Sequence, residues 1–172
     1  MTEEAKIKIR PMSVSDLDAI VAVDREIRWL GKAITYAHIT TEEIITATKQ
    51  FSQTAHPESY EEFITRDMSG EIEYGFVAEV NGEIQGFIIG HIVGKVPHTE
   101  DKLGEILVVG VYPKNWRRGI ASLLVRYLFE AFRAKDVRQV RMQVDESDKY
   151  LMGFCERIGF KSQESIEYVI SL

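Results

Sequence analysis

The feature that most limits how this chain can fold is a succession of three segments near its centre. An apolar run, EILVVGVY, a short basic loop, PKNWRRGIA, and an amphipathic run, SLLVRYLFEAF, follow one another from position 105 to position 132. The first is typical of a buried central strand and the last of a helix with one apolar face. The loop therefore leads into a helix N-terminus, where unpaired N–H groups and the positive end of the helix dipole favour a phosphate group.

Small and basic residues in this loop fit such a role. Gly119 has no Cβ, so the backbone there can approach a ligand closely, and Ala121 is nearly as small. Arg117 and Arg118 can add positive charge at the rim. The same residues are also compatible with an ordinary turn whose arginines are solvated.

The remaining segments predict an α/β fold with a mostly antiparallel sheet, in the order β-α-α-(α)-β-β-β-α-β-α-β. Asn81-Gly82 is a strong signal for a hairpin turn, and Gly159 predicts the end of the last helix. Besides the central pair of elements, strands are predicted over AKIKIRPM, EIEYGFVAEV, EIQGFIIGHIV, VRQVRMQV and FKSQESIEYVISL, and helices over SVSDLDAIVAVDREI, TTEEIITATKQF, PESYEEFITRDM and DKYLMGFCERI.

Composition narrows the class of protein. The 172 residues predict a single domain over 1–172, and the formal charge of -6 argues against a nucleic-acid partner, because that binding depends on basic surface. No stretch approaches the roughly 20 apolar residues that span a bilayer, so we expect no membrane partner. The lone Cys155 and the charged N-terminus predict a cytoplasmic location. No Cys/His spacing predicts a metal site, and no Gly-rich nucleotide motif is present.

The central loop resembles the acetyl-CoA loop of the GNAT superfamily of N-acetyltransferases. That family's pattern is Gln/Arg-x-x-Gly-x-Gly/Ala after a strand, often preceded by Val-x-Pro. Here Gly119 and Ala121 fill the small positions, and VYP stands at the family's spacing. The later segment FCERIGFK, residues 154–161, is similar to the family's Phe-Tyr-x-x-x-Gly-Phe segment. Only residues 30–70, where the family varies with its acceptor, lack a distinctive match.

The resemblance implies a GNAT-like α/β (α+β) fold, with a mixed, mostly antiparallel sheet of six to seven strands flanked by helices and a splayed central strand pair. It implies a transferase that moves an acetyl group from acetyl-CoA to a primary amine by direct attack in a ternary complex. The acceptor, a small molecule or a protein amine, stays open, and a homodimer is possible. The residues implied in CoA binding are Val109, Gly110, Val111, Trp116, Arg117, Arg118, Gly119, Ile120, Ala121, Ser122 and Asp148.

Two positions depart from the family pattern. Trp116 stands at the Gln/Arg position, where the family mostly uses backbone N–H groups; the indole can instead pack against the cofactor or the protein. Cys155 stands where many members carry the tyrosine that reprotonates the leaving thiolate. Its thiol can serve as that acid, or it can be a small buried residue. Tyr150 is about 140° around the helix from Cys155 and does not replace that tyrosine. Asp148 can contact CoA or cap a helix.

Glu105 is the sequence's candidate base. It precedes Gly119 by 14 residues, the spacing of the catalytic glutamate in the histone-acetylating branch of the family. Flanked by apolar residues, its carboxyl is expected to be desolvated, with a raised pKa. It can alternatively point to solvent or bind a cationic acceptor. Asp145 and Glu146 are further candidates, although acidic residues before a helix usually cap it.

Acceptor contacts are expected from the segment after the first helix. Aromatic residues and histidines are frequent there: Trp29, Tyr36, His38, Phe51, His56 and Tyr60. His38 and His98 are weaker catalytic candidates. Two other functions compete with acetyl transfer, namely a non-catalytic CoA-binding regulatory module of the same fold and a nucleic-acid binder that uses NWRR.

Overall fold

The computed structural model describes residues 6–29, 35–36, 39–40, 74–162 and 167–172, and the account below concerns these residues. Two single-turn 3-10 helices lie before the first and second α-helices. The other elements, in chain order, are β1 (Ile7–Pro11), α1 (Leu17–Trp29), β2 (Thr35–Tyr36), β3 (Ile39–Thr40), β4 (Tyr74–Val80), β5 (Glu83–Lys95), β6 (Lys102–Val111), α2 (Ile120–Arg133), β7 (Val137–Gln143), α3 (Lys149–Arg157), β8 (Lys161–Ser162) and β9 (Glu167–Ser171).

Seven strands form one twisted sheet in the order β1-β4-β5-β6-β7-β9-β8, and β2 pairs with β3 separately. All neighbours in the large sheet are antiparallel except β6 and β7. The sequence predicted this mixed, mostly antiparallel sheet, and the prediction is confirmed. The single parallel pair arises because α2 carries the chain from the end of β6 back to the start of β7.

Helices cover both faces of the sheet. The apolar stripe of α2, which includes Leu124, Leu128 and Phe132, is fully buried against β4, β5 and β6. On the opposite face α1 packs over β5 and β6, and its Ile27 lies beside Gly110 of β6. The central strands are therefore buried on both sides, which explains their near-continuous apolar sequence.

A β-bulge in β6 determines the shape of the sheet's centre. Two consecutive residues of β5 pair with Val108 and Ile106, so Leu107 is an extra residue in β6. The parallel pairing with β7 ends at the same place, at Ile106 opposite Met142. Beyond Leu107, β6 remains paired with β5 on one side, and its other edge, the open edge, pairs with no strand among the described residues. This is the splayed central strand pair that was expected.

Two local predictions are confirmed. The β4–β5 hairpin turns through Asn81 and Gly82, which have φ of 54° and 86°. Helix α3 ends at Gly159, with φ of 100°, where the N–H of Phe160 donates to the carbonyl of Cys155 at 3.0 Å.

The prediction of one strand over FKSQESIEYVISL is wrong, because two antiparallel strands, β8 and β9, share this segment and pair with each other. The predicted helices over TTEEIITATKQF and PESYEEFITRDM lie outside the described residues. The two-residue strands β2 and β3 fall where no strand was predicted.

The close approach of α2 to β6 predicts a cost for any side chain at Gly104. A Cβ there would lie 2.7 Å from the ring of the fully buried Phe132. We expect Gly104→Ala to lower the free energy of unfolding by about 1–3 kcal/mol, measured by urea denaturation. Gly153→Ala is the control, because its nearest neighbour is the tip of Arg157 at 3.4 Å. Alanine is the better helix former, so this control should raise stability. Equal urea midpoints for Gly104→Ala and the wild type would contradict the packing described.

Candidate functional site

The open edge of β6 presents backbone groups at alternate residues. The N–H of Tyr112 donates to the carbonyl of Gln85 in β5 at 2.8 Å. Because N–H and C=O point in opposite directions across a trans peptide, the carbonyl of Val111 points away from β5. The strand period of two then places the N–H and C=O of Val109 and Val111 at the open edge, and those of Gly110 toward β5.

A cavity of about 1060 Å³ lies between this edge, the loop after it and α3. Its walls include residues 109–111 of β6, residues 119–122 at the start of α2, and residues 148–151 at the start of α3. This volume is at the upper end of the range of small-molecule and cofactor sites. The open strand edge and the N-termini of two helices therefore meet in one place.

The N-terminus of α2 enters this cavity without a side-chain cap. Gly119 is the N-cap residue, with φ of 79°, and no side chain in the described part of the chain accepts a hydrogen bond from the first turn. The first bond of the helix runs from the N–H of Leu123 to the carbonyl of Gly119 at 3.0 Å. The N–H groups of residues 120–122 thus have no acceptor within the helix. Such a terminus attracts anions.

Buried hydrogen bonds hold the loop before α2 in place. The side chain of Asn115 donates to Oε1 of Gln85 at 2.8 Å, and both residues are buried. Arg118 in turn donates to Oδ1 of Asn115 at 2.6 Å. Neither Asn115 nor Gln85 was predicted to matter, because their contact joins positions 30 residues apart and the sequence between them carries no signal for it.

Trp116 folds back onto β6. Its indole N–H donates to the carbonyl of Val111 at 2.7 Å, on the open edge of the strand. Its ring also lies 6.4 Å from the ring of Tyr150 on α3, and both residues line the cavity. The side chain at the family's Gln/Arg position therefore packs against the protein and forms part of the wall.

Most residues predicted to bind a cofactor share this wall. Arg118 is the exception, because its guanidinium is directed to Asn115. Asp148 caps α3 by accepting from the N–H of Leu151 at 3.0 Å, and it also lines the cavity. The residues that do line the cavity are Val109, Gly110, Val111, Trp116, Arg117, Gly119, Ile120, Ala121, Ser122 and Asp148.

Gly110 does not lie in the bulge of β6. The bulge is at Leu107, and Gly110 pairs regularly with Phe87 of β5. A Cβ at Gly110 would lie 2.8 Å from the Phe87 ring, so the glycine serves close packing on the α1 face.

Glu105 lies on β6 before the bulge and does not line the cavity. Its side chain is 7% exposed; Oε2 is 2.8 Å from Nε2 of His91, and Oε1 accepts from Nε of Arg141 at 3.1 Å. Burial raises the pKa of Glu105, but the His91 and Arg141 partners outweigh it and hold that pKa below its ordinary value. The expectation of a raised pKa is therefore wrong, because the carboxyl is desolvated together with two cationic or polar partners.

The other catalytic candidates lie elsewhere. Cys155 is fully buried, its Sγ is 3.7 Å from Sδ of Met142, and burial raises the pKa of its thiol to about 12. It does not line the cavity, whereas Tyr150 does.

Asp145 accepts from the N–H and hydroxyl of Ser147 in a local turn, which lowers the pKa of Asp145. Glu146 is exposed in the same turn.

The remaining histidine and aromatic candidates are not at this cavity or are not described. His98 lies in the β5–β6 turn, at the end of β6 opposite the cavity. His38, Phe51, His56 and Tyr60, and the side chains of Trp29 and Tyr36, lie outside the described residues.

Among the residues that are described, no three His, Cys, Asp or Glu side chains are placed to hold a metal ion. No helix in that part of the chain is long and apolar enough to cross a membrane.

The family follows from a comparison of the sequence with known families. The model of the acetyltransferase (GNAT) family matches residues 39–160, well over half of the chain. The chain therefore belongs to the GNAT family.

Solved structures share the fold along nearly the whole chain. The PaiA N-acetyltransferase of Thermoplasma acidophilum, solved with coenzyme A, has 21% identity and a TM-score of 0.67, over 96% of this chain and 98% of its own. A GNAT acetyltransferase of Brucella melitensis, solved with acetyl-CoA, has 19% identity and a TM-score of 0.63, over 98% of this chain and 90% of its own. An aminoglycoside acetyltransferase from an uncultured soil metagenomic sample, solved with sisomicin, has 18% identity and a TM-score of 0.60, over 92% of this chain and 91% of its own. At these identities the likeness concerns the fold.

The paired carboxylate of Glu105 predicts a pH-dependent contribution to stability. Because the pKa of Glu105 is lowered in the fold, its charged form stabilises the protein above the ordinary value of 4.5, and this stabilisation is lost as the pH falls through the lower folded value. We expect Glu105→Gln to be less stable than the wild type at pH 7 in urea unfolding, with a difference that shrinks toward pH 3. The exposed Glu130→Gln is the control, with little change at either pH. A difference that grows on acidification would contradict the pairing.

Proposed function

We propose that the protein is an acetyl-CoA-dependent N-acetyltransferase that moves an acetyl group to a primary amine by direct attack in a ternary complex. The observation that carries this proposal is the meeting of an open strand edge and an uncapped helix N-terminus in one cavity. Membership of the GNAT family supports it, as do the fold relatives solved with coenzyme A and acetyl-CoA.

The cavity residues fit a CoA molecule by their chemistry. The free N–H groups of residues 120–122 and the helix dipole suit a pyrophosphate, and the exposed Arg117 adds positive charge beside them. The N–H and C=O of Val109 and the N–H of Val111 suit an amide-containing arm, which can add to the sheet as an extended peptide does; the Val111 carbonyl accepts from Trp116. Asn115 and Gln85 keep the loop in place beneath this site.

When bound, acetyl-CoA would supply an activated acetyl group as its thioester. The N–H of Val109, directed to the open edge beside the bulge, would donate to the oxygen that gains negative charge during the transfer. Backbone donors held by a sheet need no reorganisation at that moment, and this is how a fixed strand edge contributes to the rate.

The acceptor amine must be deprotonated before it attacks. An alkyl ammonium has a pKa of about 10.4 and must lose a proton before its nitrogen can attack. Glu105 enters this step as half of a carboxylate–imidazole pair with His91, the described pair on β5 and β6 that can take up a proton. Cys155 takes no acid role in the proposal, because its thiol is buried behind the cavity wall.

A panel of amines assayed with acetyl-CoA tests the proposal. Polyamines, amino acids, aminoglycosides, a lysine peptide and a peptide with a free N-terminus should be compared by the release of free CoA thiol. We expect at least one amine to accelerate this release in proportion to enzyme. Tight binding of acetyl-CoA with no acetylated product would instead support a non-catalytic CoA-binding module, which the burial of Cys155 away from the cavity favours.

Gly119→Glu should weaken CoA binding strongly. The carboxylate would place negative charge at the helix N-terminus, and we expect roughly 100-fold weaker binding by calorimetry, about 2.7 kcal/mol. Gly82→Glu is the matched control, because both glycines have positive φ and open space within 4 Å of where a Cβ would lie, but only Gly119 lines the cavity. Both variants should lose similar stability, and only Gly119→Glu should lose CoA. Unchanged affinity in Gly119→Glu would refute the phosphate site.

Cys155→Ala should separate packing from catalysis. We expect turnover within about twofold of the wild type and a free energy of unfolding lower by about 1 kcal/mol, because the thiol only fills space in the core. Steady-state kinetics and urea unfolding measure the two effects. A loss of turnover by about 100-fold or more, the size of a general acid's contribution, would show that the thiol is the proton donor after all.

A further inference from the structure

Three polar side chains form a row across the centre of the sheet. His91 of β5, Glu105 of β6 and Arg141 of β7 are register partners on adjacent strands. The Cβ positions of Gly90 and Gly104, the preceding residues, face Phe132 of α2. Because side chains alternate along a strand, the row lies on the opposite face, the face that α1 covers.

The two outer members of the row occupy both carboxylate oxygens of Glu105. Oε2 is 2.8 Å from Nε2 of His91, and Oε1 accepts from Arg141 at 3.1 Å. A carboxylate stabilised in this way binds a proton less readily, in agreement with its lowered pKa. Glu105 is therefore better suited to hold a neighbour in place than to accept a proton itself.

In His91, by contrast, one nitrogen of the imidazole can accept a proton. With the carboxylate accepting at Nε2, the neutral imidazole carries its proton on Nε2, and the lone pair of Nδ1 is left as an acceptor. No described residue donates a hydrogen bond to Nδ1. The side chain of His91 is 19% exposed, against 7% for Glu105, so water has better access to the imidazole.

We propose that His91 is the general base of the acetyl transfer, acting through water, and that Glu105 and Arg141 position it. This inference rests on the proposed function. Val109 is four positions after Glu105 on β6, roughly 13 Å of strand, so a proton must pass along bridging water. The charged neighbours of His91 in the row are Glu105 and, one strand further, Arg141; α1 packs on the same face and carries the buried Asp24.

The acetyl transfer conserves atoms and charge. The acceptor's ammonium loses one proton through water to Nδ1 of His91, which becomes an imidazolium stabilised by Glu105. The neutral nitrogen then forms the C–N bond, and the C–S bond breaks with its electron pair on sulfur. The nitrogen's second proton passes through solvent to the thiolate, and the imidazolium returns its proton to solvent. The products are an amide, a thiol and one released proton.

The proposal is tested with His91→Gln and Glu105→Gln in the full chain, using the fastest acceptor of the amine panel. We expect His91→Gln to lower kcat by about 10²–10⁴-fold, with the Kd for acetyl-CoA within twofold of the wild type. Glu105→Gln should lower kcat less, roughly tenfold, because an amide oxygen still accepts from Nε2–H. His98→Gln, an exposed turn histidine, is the control and should match the wild type.

A loss of turnover that is larger in Glu105→Gln than in His91→Gln would overturn the proposal and make Glu105 the base. Failure of the wild type to acetylate any amine would instead remove the proposed function. A second measurement is independent of turnover: nitrogen NMR of the imidazole, assigned with His91→Gln, should show the Nε2–H form in the wild type. A proton on Nδ1 in the neutral ring would also overturn the proposal.

Discussion

The bulge at Leu107 is the constraint on which the site depends. One extra residue in β6 coincides with the end of its pairing with β7, at Ile106. Both edges of a central strand in a closed sheet are paired, but beyond the bulge β6 presents the N–H and C=O of Val109 and the N–H of Val111 to a cavity; the Val111 carbonyl accepts from the Trp116 indole. The sheet thus keeps the stability of a core strand on the β5 side and offers a binding edge on the other.

Helix α2 completes the site because the loop between β6 and α2 is fixed at several points. The buried contact of Asn115 with Gln85 ties the loop to β5, and the indole of Trp116 ties it to the carbonyl of Val111. Gly119 then starts α2 with positive φ and no capping side chain, which leaves the first N–H groups free in the cavity. An anion site and a strand edge are therefore held at a constant separation, as a long phosphate-bearing thioester requires.

Much of this could be predicted because the signals are local. The strand, the loop with Gly119 and the helix follow one another in sequence, and caps and hairpin turns depend on a few neighbouring residues. The bulge could not be predicted, because it depends on the register with β5. The partners of Glu105 could not either, since His91 and Arg141 are 14 and 36 residues away and meet it only through strand pairing. For that reason desolvation alone predicted a raised pKa for Glu105, whereas its partners lower that pKa.

Amide hydrogen exchange tests the central claim, that β6 has an open edge which binds CoA. In the free protein the amides of Val109 and Val111 should exchange faster than those of Val108 and Gly110, which face β5. Saturating CoA should slow Val109 and Val111 by roughly tenfold or more, about 1.4 kcal/mol of added protection, and leave Val108 and Gly110 unchanged. Equal protection of all four amides in the free protein, or exchange at Val109 and Val111 that CoA does not slow, would contradict the account.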